Sequence, residues 1–550
     1  MRHGGKILID QLQINGAKAA FTVPGESFLA ALDGLYDAGV KTIICRQEGG
    51  ASMMAEAYGK MTGTPGLCFV TRGPGLANAM AGLHVAQQDS TPMILFLGLP
   101  ASDTEDREAF QEVETKSLLG TFVKWVGVIR DTKRIPEYVS RAYHTALSGR
   151  PGPVVLGLPE DMLAAEVDVA DAKPARIARS VPAAQDMAEL GALLSAAERP
   201  MMIIGGPGWS QETAKAFEAQ AARLALPVAA AFRYQDYFDN RHPNYVGCVG
   251  IGIDPKLQAA IRESDLLITV GARLGEMTTQ GYTLVDIPNP KQKFVHAHPS
   301  AGEIGSVYRA DLPILSDAAG FVEGLRGLNV SPKSSWAART AMLHAAANAY
   351  LAPIATPGAV QLEQVMRTVS DMLPVDAVVT NGAGNYAAFL HRYFTYKSYR
   401  TCLAPTSGSM GYGLPAAIAA KVADPKRTVV NFAGDGCFMM TCQELATCMQ
   451  YNLNVVTVLV NNGMYGTIRM HQEREYPVRV VGTQLTNPDF AAFARSFGAH
   501  GETVLKTADF KPALERALAS GKPAIIEVKT DQEAISVRQT ISAIRAAHKP

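Results

Sequence analysis

Short apolar segments alternate along the whole chain with alanine-rich segments of helical character. Examples of the apolar segments are Leu67–Val70, Met93–Leu97, Val154–Leu158 and Val455–Val460. Their apolar residues are consecutive rather than alternating, so strands formed from them would be buried on both faces. Strands of this kind occur in parallel sheets that helices cover on both sides. The pattern therefore predicts an α/β fold built from doubly wound parallel sheets.

The chain is long enough for several such units. Its 550 residues correspond to roughly three domains of about 150–200 residues each. The first unit closes near Gly152–Pro159 and is followed by a polar stretch, Val167–Pro182, that is typical of a linker. Ser331–Gly358 contains an alanine-rich helix and a second linker. We therefore expect three doubly wound parallel-sheet domains, over residues 1–170, 185–330 and 355–550.

Composition and charge disfavour several classes of protein. The formal net charge is zero, whereas a protein that binds nucleic acid normally has a basic excess. The seven cysteines include no C-x-x-C pair, which argues against a disulfide framework and a structural zinc site. No apolar run is long enough to span a bilayer, and the N-terminus lacks the apolar core of a signal peptide. We expect a cytoplasmic enzyme with no nucleic-acid or membrane partner.

Two neighbouring strands of the third unit are followed by polar residues that suit a metal. The strand Val429–Phe432 leads into Gly434-Asp435-Gly436, and the strand Val455–Val460 leads into Asn461-Asn462-Gly463. Ligands bind at this carboxyl edge of open α/β sheets, and a helix predicted from Met439 would offer its N-terminus to an anion. The Asp435 carboxylate, the Asn462 amide oxygen and the Met464 main-chain carbonyl are the oxygen donors that Mg²⁺ prefers.

Gly-Asp-Gly alone is common in turns, but its spacing from Asn-Asn at the next strand end is specific. The combination resembles the thiamine diphosphate (ThDP) motif of the pyruvate decarboxylase and acetolactate synthase superfamily. The resemblance covers nearly the whole chain and implies a pyrimidine-binding first domain, a central domain, and a third domain that binds diphosphate and Mg²⁺. It implies these cofactor-binding residues in the third domain: Gly434, Asp435, Gly436, Cys437, Asn462, Met464 and Gly466.

Further segments match the family's other cofactor contacts. Ser407–Pro415 implies that the Gly408 carbonyl lies near the cofactor's 4′-amino group and that Met410 holds its two rings in a V shape. In the first domain, the segments Arg46–Ala51 and Thr71–Asn78 resemble the pyrimidine-binding segments. The resemblance implies the following cofactor-binding residues there: Pro24, Gly25, Glu48, Gly73 and Asn78.

Glu48 is the implied catalytic acid. Reaction requires loss of a weakly acidic proton from C2 of the thiazolium ring. A carboxylic acid that hydrogen-bonds N1′ of the aminopyrimidine favours the 4′-imino tautomer, whose nitrogen takes that proton. The base therefore belongs to the cofactor, and the protein supplies the proton relay and the geometry. Without the resemblance, Glu48 would be read as an acid at a helix start or on the surface.

Among the branches of the superfamily, the chain looks closest to acetolactate synthase. Phe110 and Gln111 match that branch's site-facing pair and would contact the substrate, and the His-His pair of the simple decarboxylases is missing. Two residues depart from the branch. His471 stands where biosynthetic acetolactate synthases carry a Trp, and Glu26 puts a carboxylate where a small residue is usual. A negative charge there would disfavour a second anionic 2-oxo acid unless it turns away or is protonated.

The predicted function is decarboxylation of a 2-oxo acid similar to pyruvate, followed by ligation of the enamine to a second carbonyl. A non-ligating 2-oxo acid decarboxylase, or an aldehyde or 2-hydroxyacyl lyase, is the alternative with the same cofactor. A catalytically silent ThDP-fold binding protein is the alternative of another class. The resemblance implies a homodimer or homotetramer with sites between subunits. FAD is allowed by Arg273, but Glu276–Gln280 replaces the later flavin-contacting pattern, which disfavours it.

Overall fold

The first domain surrounds a six-stranded parallel sheet in the computed structural model, which describes residues 1–547. The strands β4, β5 and β7 are buried along their whole length, as consecutive apolar residues require. A short antiparallel ribbon, β1 with β8, closes the domain. Its strands are β1 (Arg2–His3), β2 (Ala19–Thr22), β3 (Lys41–Ile44), β4 (Gly66–Val70), β5 (Met93–Leu99), β6 (Trp125–Val128), β7 (Pro153–Pro159) and β8 (Glu166–Val167), and its helices are α1 (Gly4–Ile14), α2 (Leu29–Tyr36), α3 (Glu48–Thr62), α4 (Arg72–Asp89), α5 (Thr115–Leu119), α6 (Ile135–Leu147) and α7 (Glu160–Ala164).

The middle domain has a second six-stranded parallel sheet. A long helix, α12, then leads to the third domain. The strands are β9 (Pro200–Ile204), β10 (Val228–Ala230), β11 (Tyr245–Cys248), β12 (Leu266–Val270), β13 (Lys293–His298) and β14 (Leu312–Leu315), and the helices are α8 (Ala184–Ala196), α9 (Gln211–Arg223), α10 (Pro255–Arg262), α11 (Ala318–Arg326) and α12 (Ser334–Tyr350).

The third domain repeats the architecture around a third six-stranded parallel sheet. Its strands are β15 (Val378–Asn381), β16 (Cys402–Leu403), β17 (Val429–Gly434), β18 (Val455–Asn461), β19 (His500–Val504) and β20 (Ala524–Lys529), and its helices are α13 (Leu362–Met372), α14 (Tyr386–Tyr393), α15 (Gly413–Ala423), α16 (Asp435–Phe438), α17 (Leu445–Gln450), α18 (Gly466–Glu475), α19 (Phe490–Ser496), α20 (Phe510–Ala519) and α21 (Ile541–Ala547). The predicted fold class, three doubly wound parallel-sheet domains, is confirmed.

Strand order distinguishes the outer domains from the middle one. With the strands of each sheet numbered in chain order, the first and third sheets both run 2-1-3-4-6-5, whereas the middle sheet runs 3-2-1-4-5-6. The order reverses between β2 and β4 in the first sheet and between β15 and β17 in the third. Ligands of open α/β sheets bind at such a switch point, beyond the carboxyl ends of the strands.

The first and third domains share one hydrophobic core. The helix α3 packs against α15, and their buried apolar residues belong to a single cluster. Within it, the Tyr412 hydroxyl donates a hydrogen bond of 2.6 Å to the Glu56 carboxylate, and both side chains are fully buried. The two domains are therefore held in a fixed relation within the chain. Among residues 1–547, no helix is long and apolar enough to cross a membrane.

Candidate active site

A cavity of about 740 Å³ lies at the carboxyl edge of the third sheet, where its strand order reverses. The middle domain forms part of its wall through Phe232, Tyr234 and Arg273. All the cofactor-binding residues predicted in the third domain lie on its wall, namely Gly408, Met410, Gly434, Asp435, Gly436, Cys437, Asn462, Met464 and Gly466. The structure thus brings this half of the predicted site into one place.

Asp435 is held in this cavity by hydrogen bonds to both of its carboxylate oxygens. The Gly436 N–H donates to Oδ1 over 2.9 Å, and the Gly463 N–H donates to Oδ2 over 2.9 Å. The Asn487 amide donates to the same Oδ2 over 2.7 Å. Burial raises the pKa of Asp435, and these donors oppose the rise because they favour the charged form. The result is an oriented carboxylate with lone pairs remaining for a cation.

The second strand end presents Asn462 beside Asp435. Its Oδ1 accepts the Met464 N–H over 3.2 Å, which fixes the amide within the turn after β18. The preceding Asn461 instead binds the Glu527 carboxylate through its Nδ2 (2.7 Å). A carboxylate, an amide oxygen and a carbonyl oxygen are hard donors that fit Mg²⁺. Across residues 1–547, no cluster of three or more His, Cys, Asp or Glu is arranged to hold a metal.

The glycines on either side of Asp435 pack closely against tyrosine rings. A Cβ on Gly436 would lie 2.5 Å from the Tyr465 ring, and a Cβ on Gly434 would lie 3.0 Å from Tyr386, so glycine is required for this close packing. The helix predicted from Met439 begins instead at Asp435. Met439 is its C-cap, because the Met439 N–H closes this single turn on the Asp435 carbonyl (3.1 Å). The expected helix start was therefore wrong by one turn.

Cys437 joins this segment to the loop that carries Gly408 and Met410. Its sulfur accepts the Gly411 N–H over 3.3 Å and contacts the Tyr386 hydroxyl over 3.4 Å. Gly408 has a left-handed backbone, with φ of 70°, that favours glycine. Met410 is half-buried and packs against the third-domain core. The loop and the Asp435 segment are therefore positioned together.

Glu48 lies at the first turn of α3, at the carboxyl edge of the first sheet. The Asn78 amide donates a hydrogen bond of 2.9 Å to its Oε2. Gln47 caps the helix by accepting the Gly50 N–H over 3.1 Å, which sets the direction in which the helix starts. The two predicted pyrimidine-binding segments therefore meet through Glu48 and Asn78.

The remaining first-domain candidates lie around the same edge. The Gly73 N–H donates to the Gln111 carbonyl over 2.9 Å, and Gln111 has a left-handed backbone with φ of 62°. A Cβ on Gly25 would lie 2.5 Å from the Thr71 side chain. Pro24 is exposed, and the Phe110 ring is 70% exposed. These residues form a cluster with an open face rather than a closed pocket.

Glu26 lies in this open cluster, and its charge has a partner. The Glu26 carboxylate is 3.4 Å from the buried Arg72 guanidinium, which also contacts Glu160 over 2.9 Å. The same guanidinium donates to the Phe110 carbonyl over 3.3 Å. Because Arg72 compensates part of its charge, Glu26 repels an anionic substrate less than an isolated carboxylate would.

The two halves of the predicted site do not meet within one chain. None of Pro24, Gly25, Glu48, Gly73, Asn78, Phe110 and Gln111 lines the Asp435 cavity. The first domain contributes other residues to that wall, namely His84, Gln88 and Ser90. Glu48 and Asp435 thus belong to domains that share one hydrophobic core, but only Asp435 lines the cavity.

A buried third-domain carboxylate positions the turn before Glu48. Glu444 Oε1 accepts the Arg46 N–H over 3.0 Å and the Gln47 N–H over 3.1 Å. Its other oxygen accepts the Thr447 hydroxyl over 2.6 Å. Burial raises the pKa of Glu444, and these donors oppose the rise. Neither Glu444 nor Asn487 was among the sequence candidates, since their partners are distant in the chain.

Family models match each of the three domains. Residues 2–118 match the N-terminal TPP binding domain of thiamine pyrophosphate enzymes, residues 187–325 their central domain, and residues 382–528 their C-terminal TPP binding domain. The acetolactate synthase large subunit of Parasynechococcus marenigrum is 32% identical, over 96% of this chain and 87% of that protein. The chain belongs to the thiamine pyrophosphate enzyme family. The resemblance inferred from the motifs is confirmed.

Two further relatives align with this chain over almost their full length. The acetolactate synthase isozyme 2 large subunit of Escherichia coli is 29% identical, over 96% of each chain. The probable acetolactate synthase large subunit of Methanocaldococcus jannaschii is 30% identical, over 96% of this chain and 92% of that protein. The chain is therefore a ThDP-dependent enzyme, similar to acetolactate synthases, with chemistry at carbon–carbon bonds.

Proposed function

We propose that this enzyme uses ThDP and Mg²⁺ to decarboxylate a 2-oxo acid similar to pyruvate and joins the remaining acyl unit to a second carbonyl. One observation carries the proposal. The third-domain residues expected to bind the cofactor line a single cavity of about 740 Å³ at the switch point of their sheet. The relatives named acetolactate synthase support the same class of reaction.

In this proposal, the third domain binds the cofactor. Asp435, the Asn462 amide and the Met464 carbonyl would hold Mg²⁺, and a diphosphate would occupy the cavity beside Gly434 and Gly436. Gly408 and Met410 would contact the cofactor's rings from the adjoining loop. When bound, ThDP supplies the carbanion at C2 that adds to the substrate's keto carbon.

Glu48 would control a proton at N1′ of the aminopyrimidine. Asn78 supports this role because its amide already fixes one oxygen of the Glu48 carboxylate, at 2.9 Å. The backbone contacts of Glu444 to Arg46 and Gln47 hold the turn from which Glu48 projects. A carboxyl group oriented in this way can exchange a proton without moving, which is the requirement for a relay.

The site would be completed by a second copy of the chain, in a homodimer or a dimer of dimers. The first-domain cluster, with Glu48, is open on its outer face and contributes nothing to the Asp435 cavity of its own chain. Each chain would therefore lend its Glu48 cluster to the partner's cavity. Homo-oligomers with two-fold symmetry form two such sites at once.

The acceptor specificity distinguishes the two reaction classes. Phe110 and Gln111 would contact the substrate from the open cluster. Glu26 favours an uncharged acceptor, or simple protonation, because its carboxylate adds a negative charge to the same face. The contact of Glu26 with Arg72 weakens this repulsion, so a second 2-oxo acid stays compatible with the site. A non-ligating decarboxylase or an aldehyde lyase is accordingly our second candidate.

FAD is not part of the proposal. Arg273, the residue that matches the flavin-binding segment, donates to Glu303 over 2.7 Å and to the Gln88 carbonyl over 3.2 Å. A flavin phosphate would have to replace these contacts. We expect the purified protein to bind ThDP without requiring a flavin for activity.

A product assay tests the proposal. The purified protein would receive ThDP, Mg²⁺ and each of several 2-oxo acids, with and without an aldehyde acceptor, and the products would be separated. A 2-hydroxy-3-oxo acid such as acetolactate supports ligation, whereas acetaldehyde alone supports the second candidate. No ThDP-dependent product from any 2-oxo acid or 2-hydroxy ketone would refute both.

A further inference from the structure

Arg233 is a buried arginine on the wall of the cavity. It follows β10 in the middle domain and is only 6% exposed. Its side chain reaches the third domain. One terminal nitrogen, Nη2, donates to the Gly382 carbonyl over 2.9 Å, and the other donates to the Pro405 carbonyl. Gly382 follows β15, and Pro405 begins the loop that leads to Gly408. The guanidinium thus lies between two segments that border the predicted cofactor site.

Arg233 makes no ion pair within residues 1–547; the Asp89 carboxylate favours its charged form from a distance but does not contact it. Its Nε is buried and lacks a hydrogen-bond acceptor, and its nearest aromatic contact is the Phe232 ring, 5.0 Å away. The neighbouring His391 adds no charge of its own, because burial, reinforced by Arg233 itself, lowers its pKa to about 3 and keeps the imidazole neutral. A buried charge without a counter-charge in contact with it is costly unless a ligand supplies one.

The backbone of Arg233 is strained as well. Its φ of 66° lies in the left-handed region, which non-glycine residues adopt at a cost. Backbone strain of this kind concentrates at functional sites, where the surrounding structure holds it. Two unfavourable features, an unpaired buried charge and a strained backbone, therefore coincide in one residue on the cavity wall.

Arg392 shows what a structural arginine looks like in this protein. It is 8% exposed and also binds only carbonyls, through Nε to Tyr350 over 3.0 Å and through Nη1 to Val537 over 3.3 Å. Its guanidinium lies 4.0 Å from the Tyr350 ring, and it does not line the cavity. Unlike Arg233, it has a partner for Nε and ordinary backbone. Arg392 is therefore the matched control for burial without a cavity role.

We propose that Arg233 binds an anionic oxygen group, a carboxylate or a phosphate, of a molecule in this cavity. Such a group would neutralise the guanidinium. Two sources have this chemistry: the diphosphate of the cofactor and an anionic group of the substrate. The choice between the sources rests on the proposed function, whereas the anion site rests only on the cavity and on Arg233.

Binding measurements without turnover test the site. Wild type, Arg233→Gln and Arg392→Gln would be titrated by calorimetry with pyrophosphate and with ThDP, each in Mg²⁺, and with 2-oxoglutarate and pyruvate. We expect Arg233→Gln to weaken binding of the anion by about 10–100-fold, the usual effect of losing a charged hydrogen bond. Arg392→Gln should leave every dissociation constant within about twofold, because neither Arg392 nor the two residues whose carbonyls it binds line the cavity.

The pattern of losses identifies the source. Weaker pyrophosphate and ThDP binding indicates the cofactor, and weaker 2-oxo acid binding alone indicates the substrate; either supports the site. Unchanged binding in Arg233→Gln, equal losses in Arg392→Gln, or no binding of these anions to wild type would overturn it. Arg233→Lys provides a second readout: it keeps the positive charge and should lose less anion affinity than Arg233→Gln, and an equal loss would overturn the role of the charge. Because no probe requires catalysis, failure of the product assay would not mimic failure here.

Discussion

The first and third domains have the same strand order but present their carboxyl edges differently. In the third domain, the predicted cofactor residues line a cavity that the middle domain helps to enclose. In the first domain, the equivalent edge carries Glu48 and remains open, with Phe110 70% exposed and Leu29 63% exposed. Both edges have the glycines and polar residues of a ligand site. The difference lies in what packs against each edge.

This difference indicates how one fold serves two purposes. In our proposal, the third-domain edge binds the cofactor with most of its wall from one chain, whereas the first-domain edge contacts another molecule. Exposed apolar side chains beside ordered polar groups are typical of an interaction site. Our proposal is that the second molecule is another copy of the chain, so that each edge supplies what the other lacks.

The largest expected effect separates the chemical roles of the two edges. Glu48→Gln should lower kcat by about 10²–10⁴-fold, because it removes a proton relay. Its ThDP affinity should change little. Asp435→Asn should instead weaken binding of ThDP and Mg²⁺ by at least about 100-fold, since loss of supporting groups at metal sites already costs 10–100-fold. Steady-state kinetics and calorimetric titration of both variants would check this contrast. Full activity in Glu48→Gln, or unchanged cofactor affinity in Asp435→Asn, would contradict it.

The open edge can be tested by charging its apolar surface. Leu29→Glu should weaken dimer formation, because burying an unpaired carboxylate in an interface is unfavourable. Sedimentation would show more monomer, and specific activity would fall by about tenfold on dilution to concentrations at which the dimer dissociates. Met342→Glu is the control, since Met342 is 62% exposed on α12, far from this edge in sequence. Equal behaviour of the two variants would place the interface elsewhere.

The contact between the domains should matter less than either edge. Glu444→Ala leaves the buried N–H groups of Arg46 and Gln47 without their acceptor, which should cost about 2–4 kcal/mol of stability. Because the turn that carries Glu48 loosens, kcat should fall by about tenfold. Glu444→Gln retains an acceptor oxygen and should restore most of the activity. Urea unfolding and kinetics of both variants provide the measurement. If Glu444→Ala loses stability but keeps kcat, the carboxylate does not position Glu48.

The smallest effect on activity concerns the C-terminal end of α18, in the third domain. Glu473 is buried between Arg469 and Arg545, at 2.8 and 2.5 Å, and hydrogen bonding by Arg545 is the largest cause that lowers its pKa to about 2. The folded-state pKa lies below the usual value, so this stabilisation is present above about pH 4.3 and is lost as the pH falls toward 2. Glu473→Gln should cost about 3 kcal/mol at pH 7.

Urea unfolding at several pH values would show this dependence. The difference in unfolding free energy between wild type and Glu473→Gln should shrink below about pH 4.3. The control is Glu137→Gln, because Glu137 pairs with Arg134 on the surface and should contribute little to stability. A difference that stays constant with pH would show that the charge of Glu473 is not what stabilises this region.

The sequence predicted the parts of the molecule that depend on local pattern. Consecutive apolar residues were enough to predict buried parallel strands, and the polar residues after β17 and β18 were enough to predict that Asp435 and Asn462 share an edge. The supporting residues were not predictable in this way. Glu444 contacts Arg46 across 398 positions and Asn487 contacts Asp435 across 52, so their roles depend on packing between distant segments. Arg233 resembles any other arginine until its burial is known.

Mixed dimers test the central claim most directly. A chain with Glu48→Gln and a chain with Asp435→Asn, each with a different affinity tag, would be co-expressed and the heterodimer purified through both tags. If sites form between chains, each heterodimer has one intact site and about half of the wild-type activity. The control pairs wild type with a chain carrying both substitutions, and its heterodimer should be inactive. The reverse result, an inactive mixed dimer and a half-active control, would show that Glu48 and Asp435 act within one chain.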